Sequence, residues 1–370
     1  MIPWQRIWND DEAIRRFSPT GAILYLASLP YRLIVSQRNR LYDGQILKSA
    51  KLARPVISIG NITVGGTGKT PCVIYLAQML GRLGYRPAVL SRGYGGKNPQ
   101  PVNIVSDGRT IFLDAKQAGD EPLLIARTLP GVPVLTGARR SLTGQAAIER
   151  FGAQVLICDD AFQHRQIRRD INIVLLDAQR PFGNGHLLPR GGLREPLSGL
   201  RRADCLMLTR DEQSRTLHPE IERLASGGIP VFRAVHRLRE IVIPSKNEHL
   251  APGALAGKKV CAFSGIARPE SFRRVLQEAG ADILSFIDFP DHHPYNRSDL
   301  KFLEDSFCPL GADFCLTTEK DAVRLAAWPD FYKLIAYVRI EMQIMPAATA
   351  FEDFIVGRLE GKIKTESPWI

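Results

Sequence analysis

Short apolar runs, each followed by a polar or glycine-rich turn and then by apolar residues at helical spacing, recur along most of this chain. Val56 to Ile59 form the first run, and Val73, Leu76, Ala77, Leu80 and Leu83 then trace one helical face as far as Gly84. A buried strand leading into a helix is the expected reading. Further strands are predicted at Pro87 to Ser91, Val132 to Thr136, Gln154 to Asp160, Asn172 to Asp177 and Ala203 to Thr209. Helices are predicted after Asp120, which is placed to cap its helix, and over Arg140 to Phe151. Asn103 to Leu113 reads as a hairpin turning at Asp107-Gly108. Strands alternating with helices predict an α/β fold, a doubly wound, mostly parallel sheet with its ligand at the strands' carboxyl ends.

Beyond Arg233 the pattern restarts. Leu238 to Ile243 is predicted as a connecting strand, and Lys258 to Phe263 opens a second series with helices over Pro269 to Ala279 and Ser298 to Phe307. A strand ending in Thr317-Thr318-Glu319-Lys320-Asp321 follows, with Thr318 and Asp321 at capping-box spacing. A strand near Leu334 to Ile340 and a helix from Ala347 to Leu359 come last. The expected division is an N-terminal helical segment over 1–50, a nucleotide-binding domain over 51–235, a smaller α/β domain over 236–345, and a terminal helix and tail over 346–370.

Composition changes this picture little, and charge changes it more. The 370 residues are 45% hydrophobic, enough for two sizeable cores, while a net charge of +11 points to an anionic partner. The six cysteines are scattered without metal spacing and read as small core residues. Gly21 to Val35 is apolar but holds Pro30 and Arg32, and it is short for a spanning helix, which needs about 20 apolar residues. Basic flanks (Arg15, Arg16, Arg32, Arg38, Arg40, Lys48, Lys51) and the aromatics Trp4, Trp8, Phe17, Tyr25 and Tyr31 suit a helix lying in a membrane interface.

Chemistry enters at the loop between the first strand and helix. Gly60-Asn61-Ile62-Thr63-Val64-Gly65-Gly66-Thr67-Gly68-Lys69-Thr70 reads as a phosphate-binding loop, in which bare glycines turn backbone N–H groups toward phosphates. Lys69 supplies a cation and the Thr70 hydroxyl a Mg²⁺ ligand. Thr63 stands where the general pattern has its first glycine. Asp159 and Asp160 end an apolar strand as a Walker-B-like pair. Between Asp177 and Ala203 a long aperiodic segment offers Arg190 and Arg194 as forked phosphate donors. A kinase also needs a group to take the acceptor's proton, and Asp120, Asp159, Asp160, His164, His292 and His293 are the candidates. A nucleotide-dependent switch or chaperone NTPase acting on a protein partner is the rival class. Guanine specificity is not favoured by Thr209-Arg210-Asp211-Glu212, so ATP is the expected nucleotide. No stacking-aromatic platform points to nucleic acid.

Taken together, Gly60-Asn61 with Gly65 to Pro71, Ser91-Arg92-Gly93-Tyr94-Gly95, Gly119-Asp120-Glu121-Pro122, Asp159-Asp160-Ala161-Phe162-Gln163-His164, Gly183-Asn184-Gly185 through Leu193-Arg194-Glu195-Pro196, and Asp291-His292 resemble the tetraacyldisaccharide 4'-kinase family of lipid A biosynthesis. The resemblance covers most of the chain in matching order. It departs at Ala161, where the family usually has Gly, and at Gly192, where it usually has Pro. The resemblance implies transfer of the ATP γ-phosphate to the 4'-hydroxyl of an acylated glucosamine disaccharide 1-phosphate, at the cytoplasmic face of the inner membrane. It implies Gly65, Gly66, Thr67, Gly68, Lys69 and Thr70 at the nucleotide, Thr70, Asp159 and Asp160 at Mg²⁺, and Asp120 with His292 as the acid–base pair. Asn61, Tyr94, Glu121, His164, Arg190 and Arg194 would meet the substrate. The lipid and the membrane surface are the partners implied; neither nucleic acid nor an obligate protein partner is.

Overall fold

The computed structural model describes residues 19–98, 100–211 and 216–363. Arg15, Arg16, Trp4, Trp8 and Phe17 of the expected interfacial segment, Glu212, and the end of the tail lie outside them. The chain begins with α1 (Pro19–Asp43), β1 (Val56–Asn61), α2 (Lys69–Arg82), β2 (Pro87–Ser91), β3 (Asn103–Ser106), α3 (Ala115–Ala118), α4 (Asp120–Thr128) and β4 (Val134–Thr136). Then come α5 (Arg140–Phe151), β5 (Val155–Asp159), β6 (Ile171–Asp177), β7 (Cys205–Thr209), α6 (Pro219–Ser226) and β8 (Val231–Ile243). The second series is β9 (Glu248–Leu250), β10 (Lys259–Ser264), α7 (Pro269–Glu278), β11 (Asp282–Asp288), α8 (Arg297–Phe307), β12 (Phe314–Thr318), α9 (Glu319–Leu325), α10 (Pro329–Tyr332), β13 (Ala336–Met345) and α11 (Ala348–Ile363).

All thirteen described strands join one sheet, in the order β11-β10-β12-β13-β8-β7-β6-β1-β5-β2-β4-β3, with β9 paired to β8. Neighbours are parallel except β3/β4, β8/β13 and β8/β9. The strand expected at Leu238 to Ile243 is therefore much longer. Its first residues, Val231 to Ala234, pair with buried β7, and the rest runs antiparallel to β13. Arg239 lines the cleft, Arg237 pairs with Glu278 and Arg233 with buried Asp211, and these charges break up the apolar pattern that would have revealed the strand's beginning. Two parallel blocks are thus joined by one antiparallel ribbon.

β1, β5 and β6 are buried end to end, as a parallel sheet covered on both faces requires. On one face Ile57 and Ile59 meet Val73, Leu76 and Leu80 of α2, and Phe351, Ile355 and Leu359 of α11 close the same core. The last helix thus packs back on the first block. The expected hairpin is only half present: Asp107 accepts from Arg109 and Thr110 N–H at 2.8 and 2.7 Å, but the return strand reduces to a bridge at Ile111. Four of the six cysteines are buried, Cys308 is exposed, and none is paired.

α1 continues through Pro30 and is held by the buried Val35, by Tyr31 packed against the Phe162 and Leu193 cluster, and by several polar contacts. Tyr31 donates to the Arg194 carbonyl at 2.7 Å, Asn39 donates to Glu195 at 3.0 Å, and Arg165 bonds the Asn39 carbonyl and Asp43. Its opposite face leaves Ile23, Leu26, Leu29, Leu33 and Ile34 exposed. No described helix is long and apolar enough to cross a membrane.

Candidate active site

The loop from β1 to α2 carries two glycines at positive φ, Gly65 (106°) and Gly68 (84°), the latter at the N-cap of α2. A Cβ on Gly68 would sit 2.7 Å from the His236 ring, so this position must be bare on steric as well as conformational grounds. Asn61 donates to the Thr67 hydroxyl at 3.0 Å and braces the loop from beneath, rather than lining the cleft as a substrate contact. Thr63 bridges antiparallel to Leu193, with Val64 N–H donating to Gly192 and Arg194 N–H to Ile62. The backbone at the missing glycine is therefore extended, which explains why a β-branched residue fits there. The same pairing brings the aperiodic segment against the loop and delivers the Arg194 side chain to the cleft.

β5 lies directly beside β1, so its terminal acids emerge next to the loop. Asp160, at φ 48°, receives Arg194 Nη1 at 2.9 and 3.0 Å and lies 3.5 Å from Lys69 Nζ. Burial raises its carboxyl, but Lys69 and Arg194 outweigh that and hold it below the usual range. Asp159 is buried; Ser91 donates to its Oδ2 at 3.3 Å and its Oδ1 has no partner. Burial, with Glu121 and Asp160 near, pushes this carboxyl up. An orphaned, destabilised carboxylate oxygen beside Thr70 and Asp160 is the environment of hard-cation ligands, and the three oxygen donors fit Mg²⁺. Among the described residues no cluster of three or more His, Cys, Asp or Glu could hold a metal by itself, and none forms at Asp291-His292-His293.

Asp120 is not the N-cap expected of it. Gly119, at φ 90°, takes that position, and Asp120 opens α4 with its carboxylate turned to the second block. Its Oδ2 lies 3.0 Å from His292 Nδ1 and accepts from Arg324 Nη1 at 2.8 Å, while Oδ1 accepts from Glu121 N–H at 3.0 Å. Burial raises this carboxyl, yet the His292 hydrogen bond and the Lys320 and Arg324 charges prevail and hold it well below the usual range. His292 sits at φ 58° in the left-handed region, its N–H bonded to the Gly265 carbonyl. Lys320 stands 3.0 Å from both His292 Nε2 and Glu121 Oε1. The Tyr94 ring is 6.2 Å from that of His292, edge-on.

One cleft of about 2450 Å³ connects these groups, larger than the roughly 300–1,000 Å³ that a single small ligand needs. Gly65 to Thr70, Tyr94, Glu121, Asp159, Asp160, His164, Arg194 and His292 line it. Asp120 and Arg190 do not: Asp120 is buried just behind His292, and Arg190 is buried within its own segment, where its carbonyl accepts from Asn184. Sequence reasoning missed Lys320, Arg324, Arg210, Arg268 and His236. Lys320 belongs to the charged run that opens α9 at a strand's carboxyl end and Arg324 to the last turn of the same helix, and that run signals a capping box in sequence; Thr318 does cap, accepting from Asp321 N–H at 3.1 Å. Arg210 donates to the Gly66 carbonyl at 2.7 Å and pairs with Asp177, as does Arg268 at 2.6 Å. The family model described as tetraacyldisaccharide-1-P 4'-kinase matches residues 20–360.

The chain belongs to that family. Among its curated relatives, tetraacyldisaccharide 4'-kinase of Syntrophus aciditrophicus is 48% identical over 96% of this chain and 98% of its own length. The protein of the same name from Anaeromyxobacter sp. strain Fw109-5 is 43% identical over 92% of both. The crystal structure of LpxK from Aquifex aeolicus in complex with ATP superposes with a TM-score of 0.75 at 34% identity, covering 92% of this chain and 99% of that one. The resemblance read from the motifs is thereby borne out, and the α/β architecture with it.

Proposed function

We propose that this protein is the ATP-dependent kinase that phosphorylates the 4'-hydroxyl of an acylated glucosamine disaccharide 1-phosphate. The observation that carries the reading is the placement of Lys69 and His292 on the walls of one cleft, with Asp120 buried directly behind the histidine and bonded to it across the two blocks. Lys69 and the N-terminal N–H groups of α2 hold the ATP phosphates, with Arg194 opposite. Thr70, Asp159 and Asp160 would hold Mg²⁺, which supplies positive charge to the phosphates when bound. Asp120 takes the hydroxyl proton as the bond from phosphorus to the 4'-oxygen forms and the bond to ADP breaks. A carboxylate held as acidic as this one can serve, because phosphoryl transfer runs through a loose transition state with little demand for a strong base. His292 orients that carboxylate, while Glu121, Tyr94 and His164 face the acceptor.

The exposed apolar face of α1, with Arg32, Arg38 and Arg40 nearby, supports a helix seated in the membrane interface, where the lipid acceptor resides. We place that membrane at the cytoplasmic face, where ATP is available. The test is γ-labelled ATP with the acylated disaccharide 1-phosphate. Label in the lipid spot is expected, and it should be lost in Asp120→Ala and His292→Ala; release only as free phosphate would instead support a nucleotide-dependent switch.

A further inference from the structure

Lys320 reaches both the histidine and the acidic residue next to the catalytic aspartate, and its chemistry restricts what the histidine can be. An ammonium has three donors and no acceptor. At 3.0 Å from His292 Nε2 it can form a hydrogen bond only if that nitrogen presents its lone pair. The imidazole proton then resides on Nδ1, which lies 3.0 Å from Asp120 Oδ2 and donates to it. Lys320 is kept charged by its surroundings: burial lowers it, but Glu121, Asp291 and Asp120 outweigh burial and hold it above the usual lysine range.

We propose that Lys320 is a positioning residue that fixes His292 as its Nδ1–H tautomer, so that the only proton on the ring is aimed at Asp120. This rests on the kinase reading of the cleft and adds a residue to it. Among the described residues, the charged groups around the ring agree with this, Asp291 excepted. Asp120 and Arg324 stand on the Nδ1 side; Lys320 stands at Nε2, with Glu121 beyond it. The one rival acceptor for an Nε2 proton is Asp291, whose Oδ2 is 4.0 Å from Nε2 and whose Oδ1 is buried without a hydrogen-bond partner. Lys320 lies 3.8 Å from that Oδ1 and screens the carboxylate from the ring. Without the ammonium, Asp291 would draw the proton to Nε2, turning a lone pair toward Asp120 and removing the hydrogen bond that orients it. Lys320 also joins Glu121 of the first block to His292 of the second, so the tautomer is fixed only while the two blocks are in contact.

The test is a long-range proton–nitrogen correlation spectrum of the ¹⁵N-histidine-labelled full-length protein, with His292 assigned by its loss in His292→Gln. The native spectrum is expected to show the proton on Nδ1; a proton on Nε2 overturns the proposal, and this outcome is read from the native protein, the variant serving only for assignment. In Lys320→Met the proton is expected to move to Nε2, with kcat falling about ten- to a hundredfold and KM for ATP little changed. Lys320→Arg, which keeps a donor, should restore the native tautomer and part of the rate. An unchanged tautomer in Lys320→Met overturns the proposal as well. Because the spectrum is independent of catalysis, the native tautomer in a protein that released only free phosphate would sink the lipid-kinase reading and leave this inference standing.

Discussion

Three site residues, Asp160, Arg210 and His292, occupy the left-handed backbone region, where a side chain costs roughly 1–3 kcal/mol. Each makes a side-chain bond at the cleft, Asp160 to Arg194, Arg210 to Asp177 and His292 to Asp120, so local strain is exchanged for a fixed direction. Gly68 is the opposite case, since its φ of 84° and the His236 ring leave no room for any side chain. Gly68→Ala is expected to lower kcat/KM for ATP at least about tenfold, the rate equivalent of about 1.4 kcal/mol, in steady-state assays. His236 itself carries a pH signature. Burial, with Arg210 beside it, holds its imidazole down at about 4, against an ordinary 6.5. In the unfolded chain it gains a proton as pH falls through 6.5, but in the folded protein it stays neutral until about 4. Stability is therefore untouched by this group above that window and declines across it as pH falls. Melting temperatures of His236→Gln should drop less between pH 7 and pH 5 than those of the native protein; parallel curves would show that the buried ring contributes nothing.

Among the elements, α1 inverts the usual amphipathic arrangement, binding the body through Tyr31, Asn39 and Asp43 and showing Leu26 and Leu33 to solvent. Burying a leucine side chain stabilises by about 1.5–3 kcal/mol. Leu26→Asp with Leu33→Asp should thus cut co-sedimentation with anionic vesicles by tenfold or more and leave the melting temperature unchanged, because neither residue touches the core. Undiminished binding would remove α1 as the anchor. The parallel strands of the first block and the helices α2, α4 and α5 were legible in sequence because its sheet is buried on both faces and gives continuous apolar runs such as Val155 to Cys158, whereas the short α3 and α6 were not. The long β8 was not, because Arg233, Arg237 and Arg239 interrupt its apolar pattern. The same limit governed the site: the loop, the Walker-B-like pair and Asp120 were found by local pattern. Lys320 and Arg324, which are ordinary charges of a short helix in sequence, gain meaning from His292 and from residues about two hundred positions away. Arg190 and Arg194 looked alike as strings, and only the pairing of Thr63 with Leu193 separates them.

At the scale of the whole molecule, the β8–β13 ribbon ties the two blocks together at one side of the cleft, and side chains must hold them at the other. Asp120 with Arg324 and Glu121 with Lys320 do this on the acceptor side. On the nucleotide side the tie is Asp177, buried at the end of β6, which binds Arg268 from the start of α7 and Arg210 from the end of β7. Arg210 in turn holds the Gly66 carbonyl, so a single carboxylate links the second block to the phosphate loop. A charge-assisted bond of this kind contributes about 1.5–3 kcal/mol, and its loss shifts a closure equilibrium by about tenfold for each 1.4 kcal/mol. In Arg268→Ala, Asp177 keeps Arg210, so neither a bare buried charge nor gross unfolding should follow. The expected result is KM for ATP raised about three- to tenfold, with the melting temperature nearly unchanged and faster amide exchange over Gly265 to Pro269. Arg268→Lys, which retains the charge but not the forked geometry, should fall between the two. If both KM and exchange matched the native protein, closure on the nucleotide side would have to depend on the packing of Ala267 over Gly66 instead, and Ala267→Gly would become the variant that loosens it.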